Sequence, residues 1–144
     1  MKKVLLALVL ILSIMMVMAC KSAPKAEAKS TLEQIYGKFK NDINVEGAKS
    51  YTVVEEDKLT SIANKNYGNG YYFPLILATS DVVKNPDKIV PGMVLTIPDL
   101  DKNLNNAKTK KRVKELLLEV AKDYDAGEDL YKISDGLKKL AETL

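Results

Sequence analysis

The chain has 144 residues, 47% hydrophobic and 28% charged, with 22 basic against 19 acidic side chains, no His, no Trp and a single Cys. A net charge of +3, two units of it from Lys2 and Lys3, is too small and too interleaved for a phosphate-binding surface, which argues against nucleic acid as a partner. Without His the commonest general base and zinc ligand are missing, and one Cys makes neither a tetrathiolate site nor an internal disulfide. The composition therefore points away from an enzyme and from any metal or cofactor.

Lys2 and Lys3 precede an apolar run from Val4 to Val17, closed by Met18, Ala19 and Cys20. That is the charged, apolar and cleavage order of an export signal over residues 1–19, and the run is short for a bilayer-spanning helix. The final residues resemble the lipobox of bacterial lipoproteins, with Val17 and Met18 at positions where Leu and Ala or Ser are usual. The resemblance implies that Cys20 becomes an acylated first residue, so that the protein is exported and anchored by lipid to an envelope membrane, facing the periplasm or wall. Residues 21–29, rich in Lys and Ala with one Pro and no apolar period, read as a flexible linker behind it.

Ser30 and Glu33 can form a capping box, and Leu32, Ile35, Tyr36, Phe39 and Ile43 make one apolar face, which predicts an amphipathic helix within residues 30–47. Tyr51 to Val54 alternate as a strand. Asp57 is placed to cap a helix through Leu59, Ile62 and Ala63 that the Tyr67–Gly70 segment ends. A second helix starts near Phe73-Pro74 and runs to about Ser80. After turn sequences at Asn85-Pro86-Asp87 and Pro91-Gly92, a second strand spans Val94 to Ile97. A two-stranded sheet is marginal alone, so the helices are expected to cover Tyr51, Val53, Val94 and Ile97.

Residues 51–98, YTVVEEDKLTSIANKNYGNGYYFPLILATSDVVKNPDKIVPGMVLTIP, resemble a LysM domain, most specifically in the closing NPDKIVPGMVLTIP. The resemblance implies an α+β fold, a βααβ module with two antiparallel strands and both helices on one side. It also implies binding of N-acetylglucosamine-containing glycan, typically peptidoglycan or chitin, in a shallow groove between two loops. Carried over by position, the first loop is Asp57, Lys58, Leu59 and Thr60, and the second is Thr79, Ser80, Asn85, Pro86, Asp87 and Ile89. Turns of this kind leave backbone N–H and C=O groups for an acetamide, and an apolar side chain can receive its methyl. The chain departs from the family pattern at Glu56-Asp57-Lys58, where Gly-Asp-Thr is usual, at Thr79 in place of Asn and at Phe73 in place of Trp. Tyr67, Tyr71 and Tyr72 would serve either as a stacking platform for sugar or as cover for a small core.

Within 103–144, Val113, Leu116, Leu117, Val120 and Tyr124 give a second amphipathic helix beginning at Asn103 or Asn105, and Leu130, Ile133, Leu137, Leu140 and Leu144 give a third. Asp125-Ala126-Gly127 separates them into an αα-hairpin, with Glu128 and Asp129 suited to the next N-terminus and Gly136 a weak point within it. Together with the first helix they would pack as three helices beside the LysM fold. The cluster Lys108, Lys110, Lys111, Arg112 and Lys114 reads as a solvated face, with contact to anionic lipid or wall polymer as the alternative. The function this sequence implies is a non-catalytic tether between an envelope membrane and peptidoglycan, with a protein partner for the helices left open. The alternative is a LysM fold turned to protein interaction or ion sensing, because NPDKIVPG also resembles the LysM part of a bacterial potassium-binding protein.

Overall fold

Turn chemistry, Pro and Gly positions set the middle of the fold. In the computed structural model, which describes residues 31–81, 88–127, 129 and 132–144, the elements run α1 (Thr31–Phe39), β1 (Lys49–Thr52), α2 (Leu59–Tyr67), α3 (Phe73–Thr79), β2 (Val94–Ile97), α4 (Leu100–Leu104), α5 (Ala107–Ala126) and α6 (Ile133–Glu142). Helix α2 stops at Gly68, whose φ of 73° is the left-handed conformation that glycine adopts without strain, and its N–H closes on the Asn64 carbonyl. After a 3-10 turn at Gly70–Tyr72, α3 starts with Pro74 in its first turn. The strands are antiparallel, with Tyr51 opposite Leu95 and Lys49 opposite Ile97, so the βααβ order and α+β class hold.

The register corrects the expected core. Leu95 and Ile97 point inward with Val53, whereas Val94 is 53% exposed and Tyr51 only half-buried. Strand side chains alternate, so Val94 and Ile97, three residues apart, cannot share a face. The inward strand residues meet Leu59, Ile62 and Ala63 of α2 and the apolar side chains of α3.

Every residue of α3, from Phe73 to Thr79, is buried. A helix lying on a two-stranded sheet covers one face only, and the rest of α3 is covered by α1 and α5. One apolar core thus runs from Val53 and Leu95 through Leu75, Ile76 and Leu77 to Tyr36, Phe39, Leu116 and Leu117. Helix α6 packs on α5 and on the Gly70–Tyr72 turn, and α1 lies on α5 and α3, so α5 is flanked by two helices and the group is joined to the module through α3 and that turn.

Three boundaries differ from expectation, the first being β1, which spans Lys49–Thr52 and not Tyr51 to Val54 because Val54 is drawn into the turn held by Asp57. Helix α1 ends at Phe39 and passes through a 3-10 turn at Lys40–Asp42, because Asp42 is held by the Arg112 guanidinium at 2.6 and 2.9 Å; Ile43 is nevertheless buried. Neither Asn103 nor Asn105 starts the long helix: its cap is Asn106, whose side chain accepts the Lys108 and Thr109 N–H groups. Ahead of it, α4 is capped by Asp99, which accepts from the Lys102 N–H at 3.1 Å. The expected cap role of Asp129 is met, its carboxylate accepting the Ile133 and Ser134 N–H groups at 2.8 Å each. Ser30, Glu128 and Leu130 lie outside the described residues.

Asn103 instead is a buried link between α4 and the segment after α1. Its side chain accepts the Asn44 N–H at 2.8 Å, and it donates to the carbonyls of Asn44 at 2.9 Å and Asp99 at 2.7 Å. Asn103→Ala should lower stability by about 2–3 kcal/mol, since it strands the paired Asn44 groups. Urea unfolding with an unchanged slope and an earlier midpoint is the expected reading. A midpoint equal to that of the parent protein would mean that water replaces the amide freely.

Candidate functional site

The open end of the sheet is built by two tight turns. After β1, the Asp57 carboxylate accepts the Val54 N–H and the Tyr51 hydroxyl, each at 2.9 Å, while the Asp57 N–H donates to the Val54 carbonyl at 3.2 Å. Asp57 is therefore a turn clamp, and the cap position of α2 falls to Lys58, which makes no side-chain cap hydrogen bond. The hydrogen bond to Asp57 also raises the Tyr51 hydroxyl above its ordinary pKa. Glu56 takes φ 68°, so this position has kept a left-handed backbone without the glycine usual there, at a strain of about 1 kcal/mol. Before β2, the Met93 N–H closes on the Val90 carbonyl at 3.2 Å around Gly92, whose φ is 90°. The two turns are joined by Val53, which donates to Met93 and accepts from Gly92, both at 2.8 Å.

What this end shows to solvent is a set of valines with a charged rim. Val54, Val90 and Val94 are each more than half exposed, and Glu55, Glu56, Lys58 and Lys88 are exposed around them. Small branched side chains beside turn backbone suit the methyl and amide of an N-acetyl group. The valines were not among the expected contacts, although strand alternation from Leu95 marks Val94 as outward and the Glu55-Glu56 and Pro91-Gly92 that follow Val54 and Val90 place them in turns.

The expected contact residues divide into two groups. Lys58 is exposed, and Asp57, Thr60 and Ile89 are partly exposed near this end. Leu59, Thr79 and Ser80 are 2%, 8% and 1% exposed, which makes their side chains framework and not surface. The Thr79 hydroxyl donates to the Leu75 carbonyl at 2.8 Å and approaches the Thr96 carbonyl at 3.3 Å, and the Ser80 hydroxyl accepts the Thr96 N–H at 2.9 Å. Together they satisfy the outer edge of β2 as a third strand would, so the Thr79 departure serves the sheet. Asn85, Pro86, Asp87 and Cys20 lie outside the described residues.

The tyrosines form cover and not a platform. Tyr67 and Tyr72 meet edge to face, with centroids 5.9 Å apart at 79°, and Tyr72 is 7% exposed. Burial, reinforced by the charge of Asp99, raises the Tyr67 hydroxyl well above its ordinary pKa. Tyr71 lies flat on Gly136 of α6. Two clefts lie elsewhere: one of about 400 Å³ between Lys49, Tyr67, Asp99 and Asp101, and one of about 250 Å³ between Asn41, Asn44, Lys108 and Arg112. Neither is lined by a residue of the two expected glycan loops, though Tyr67 borders the larger. Among the described residues no group of three or more acidic or Cys side chains is placed to hold a metal ion, and no helix is long and apolar enough to cross a membrane.

A family model for the LysM domain matches residues 51–98, from within β1 to one residue past β2. Residues 51–98 are a LysM domain. LysM domains are non-catalytic modules that bind peptidoglycan-like glycans. The chain is also similar to the Potassium binding protein Kbp of Escherichia coli O6:H1, with 44% identity over 50 residues that make up 34% of each protein. The match thus covers about a third of that relative's length. Outside the LysM domain, α1, α5 and α6 are tied to it through α3 and the Gly70–Tyr72 turn.

Proposed function

We propose that the protein is a non-catalytic, lipid-anchored envelope protein whose LysM domain holds N-acetylglucosamine-containing peptidoglycan and so tethers a membrane to the wall. The observation that carries this reading is the open valine-lined turn pair of the LysM domain, which the added helices leave uncovered because they pack on α3. Acyl chains on Cys20 would fix one end, two chains giving stable anchoring where one gives reversible binding. Many weak glycan sites along a polymer would hold the other, raising effective concentration at the wall. A second reading, an ion-sensing or protein-interaction role without glycan affinity, is favoured by the name of the potassium-binding relative.

Residues 21–144 should co-sediment with purified peptidoglycan sacculi, and soluble chitin oligomers should compete the binding away. A Val54→Asp, Val90→Asp variant, changed only at exposed positions, should fold normally and bind at least about tenfold more weakly, a loss of about 1.4 kcal/mol. Oligomer-insensitive or absent binding at roughly 50 μM, where a site of that Kd would be half filled, would move the assignment to the ion or protein reading. In cells, Cys20→Ala should release the protein from the membrane fraction. Retention of that variant would mean that residues 1–19 stay as an uncleaved anchor.

A further inference from the structure

Charge on the long helix is segregated. Lys108, Lys110, Lys111, Arg112 and Lys114 fall within seven residues that contain no acid, and the first turn of α5 carries no acidic residue. Arg112 is matched by Asp42 and Glu115 and stacks over the Phe39 ring at 4.5 Å. Among the described residues the four lysines are in no ion pair, and Lys108 and Lys111 are fully exposed. Lys108 and Lys111, Lys110 and Lys114, and Lys111 and Lys114 stand three or four apart on the helix surface, where like charges repel. They also crowd the positive end of the helix dipole, where anions are favoured and cations are not. A helix that concentrates cations at this end carries an electrostatic cost that a bound anion removes.

The contacts of α1 show which part of the molecule this end faces. Lys38 pairs with Glu119 and Asp42 with Arg112, so α1 runs antiparallel to α5. The body therefore begins, at Thr31, beside the acidic end of α5 with Asp123 and Asp125, as the influence of Asp123 on Tyr36 also shows. The basic end lies beside Lys40, which pairs with Asp81 at the exit of α3, where the chain leaves for the second loop of the LysM domain. The lysines thus lie on the side of the body where α3 ends and Asp81 follows, and a tether ahead of Thr31 would hold the acidic end toward the membrane. Next to Lys108 is the cleft of about 250 Å³ that Asn41, Asn44, Thr109 and Arg112 also line, together with Asp42, whose carboxylate is engaged by Arg112.

We propose that the N-terminal half of α5 is a second contact surface for the wall polymer, taking the carboxylates of the acidic peptides that the glycan carries while the LysM turns hold the sugar. This rests on the glycan reading above and adds to it an ionic, salt-sensitive contact.

The test uses residues 21–144, which retain every core residue, and a variant with Lys108, Lys110, Lys111 and Lys114 changed to Gln. Both are co-sedimented from 50 to 500 mM salt with native sacculi, with sacculi whose carboxylates have been amidated, and with vesicles of one part phosphatidylglycerol to two parts phosphatidylcholine. On native sacculi at low salt the variant should bind about tenfold more weakly, and the difference should vanish at high salt and on amidated sacculi. Its melting temperature should rise by a few degrees as repulsion along α5 is relieved. Equal binding of the two proteins to native sacculi across the salt range would overturn the proposal. So would lysine-dependent binding that is stronger on vesicles than on sacculi, which would make the surface a lipid contact. The glycan reading fails separately, through loss of oligomer-competed binding at high salt.

Discussion

Residues 51–98 alone are expected not to fold cooperatively. The piece keeps only Tyr51 and Thr52 of β1 beside the four residues of β2, and its second helix is buried on every side, partly by α1 and α5, which the excised piece lacks. Baring three large side chains of α3 costs about 5–9 kcal/mol at roughly 1.5–3 each, comparable with whole-domain stabilities of about 5–15. A piece of this length also buries a smaller share of its surface than the full body. The expected result is a poorly dispersed amide spectrum and no sharp thermal transition for 51–98, beside one cooperative transition for 31–144. A dispersed spectrum with a melting point within a few degrees of the longer protein would show that the added helices are mere appendages.

Gly136→Ala should destabilise the protein even though it improves a helix. In an isolated helix the change gains about 1 kcal/mol. Here a Cβ at Gly136 would overlap Cζ and Cε1 of the Tyr71 ring, so the ring that joins α6 to the LysM domain must move. Overpacking of this kind costs about 1–3 kcal/mol, and against the helix gain of about 1 it leaves a net loss of up to about 2 kcal/mol. The sign should reverse when the ring is absent: in a Tyr71→Ala background, Gly136→Ala should stabilise by about 0.5–1 kcal/mol. A double-mutant cycle from urea unfolding gives the coupling directly. Stabilisation by Gly136→Ala in the parent protein would refute the contact.

The parts of the molecule legible in the sequence are those whose cause is local. Pro74 can only open a helix, Gly68 can only end one cheaply, and the three-and-four spacing of Val113, Leu116, Leu117 and Val120 marks a helix face whatever it packs on. These features, with the strand-helix-helix-strand order, determined the βααβ module. The exposed half of the candidate site, Lys58 and the turn around Asp57, came instead from the resemblance to LysM domains. Where local chemistry offered two uses for a residue, the sequence could not choose. Asp57 is a good cap and a good turn clamp, and the Val54 N–H and Tyr51 hydroxyl, brought within 2.9 Å by the strand's end, decided for the clamp.

The remaining assignments depended on contacts between segments far apart in the chain. Thr79 and Ser80 look like loop hydroxyls until Thr96 of β2 is placed beside them, and Asn103 looks like a helix start until Asn44 meets it 59 residues away. Gly136 looks like a flaw until Tyr71 lies on it. By itself the sequence determined which segments are helix or strand and which module they compose, because propensity and periodicity act over a few residues. Only the tertiary structure decided which polar groups are surface and which are framework. A hydroxyl or amide has no preferred partner until folding removes water and leaves one specific backbone group within its reach.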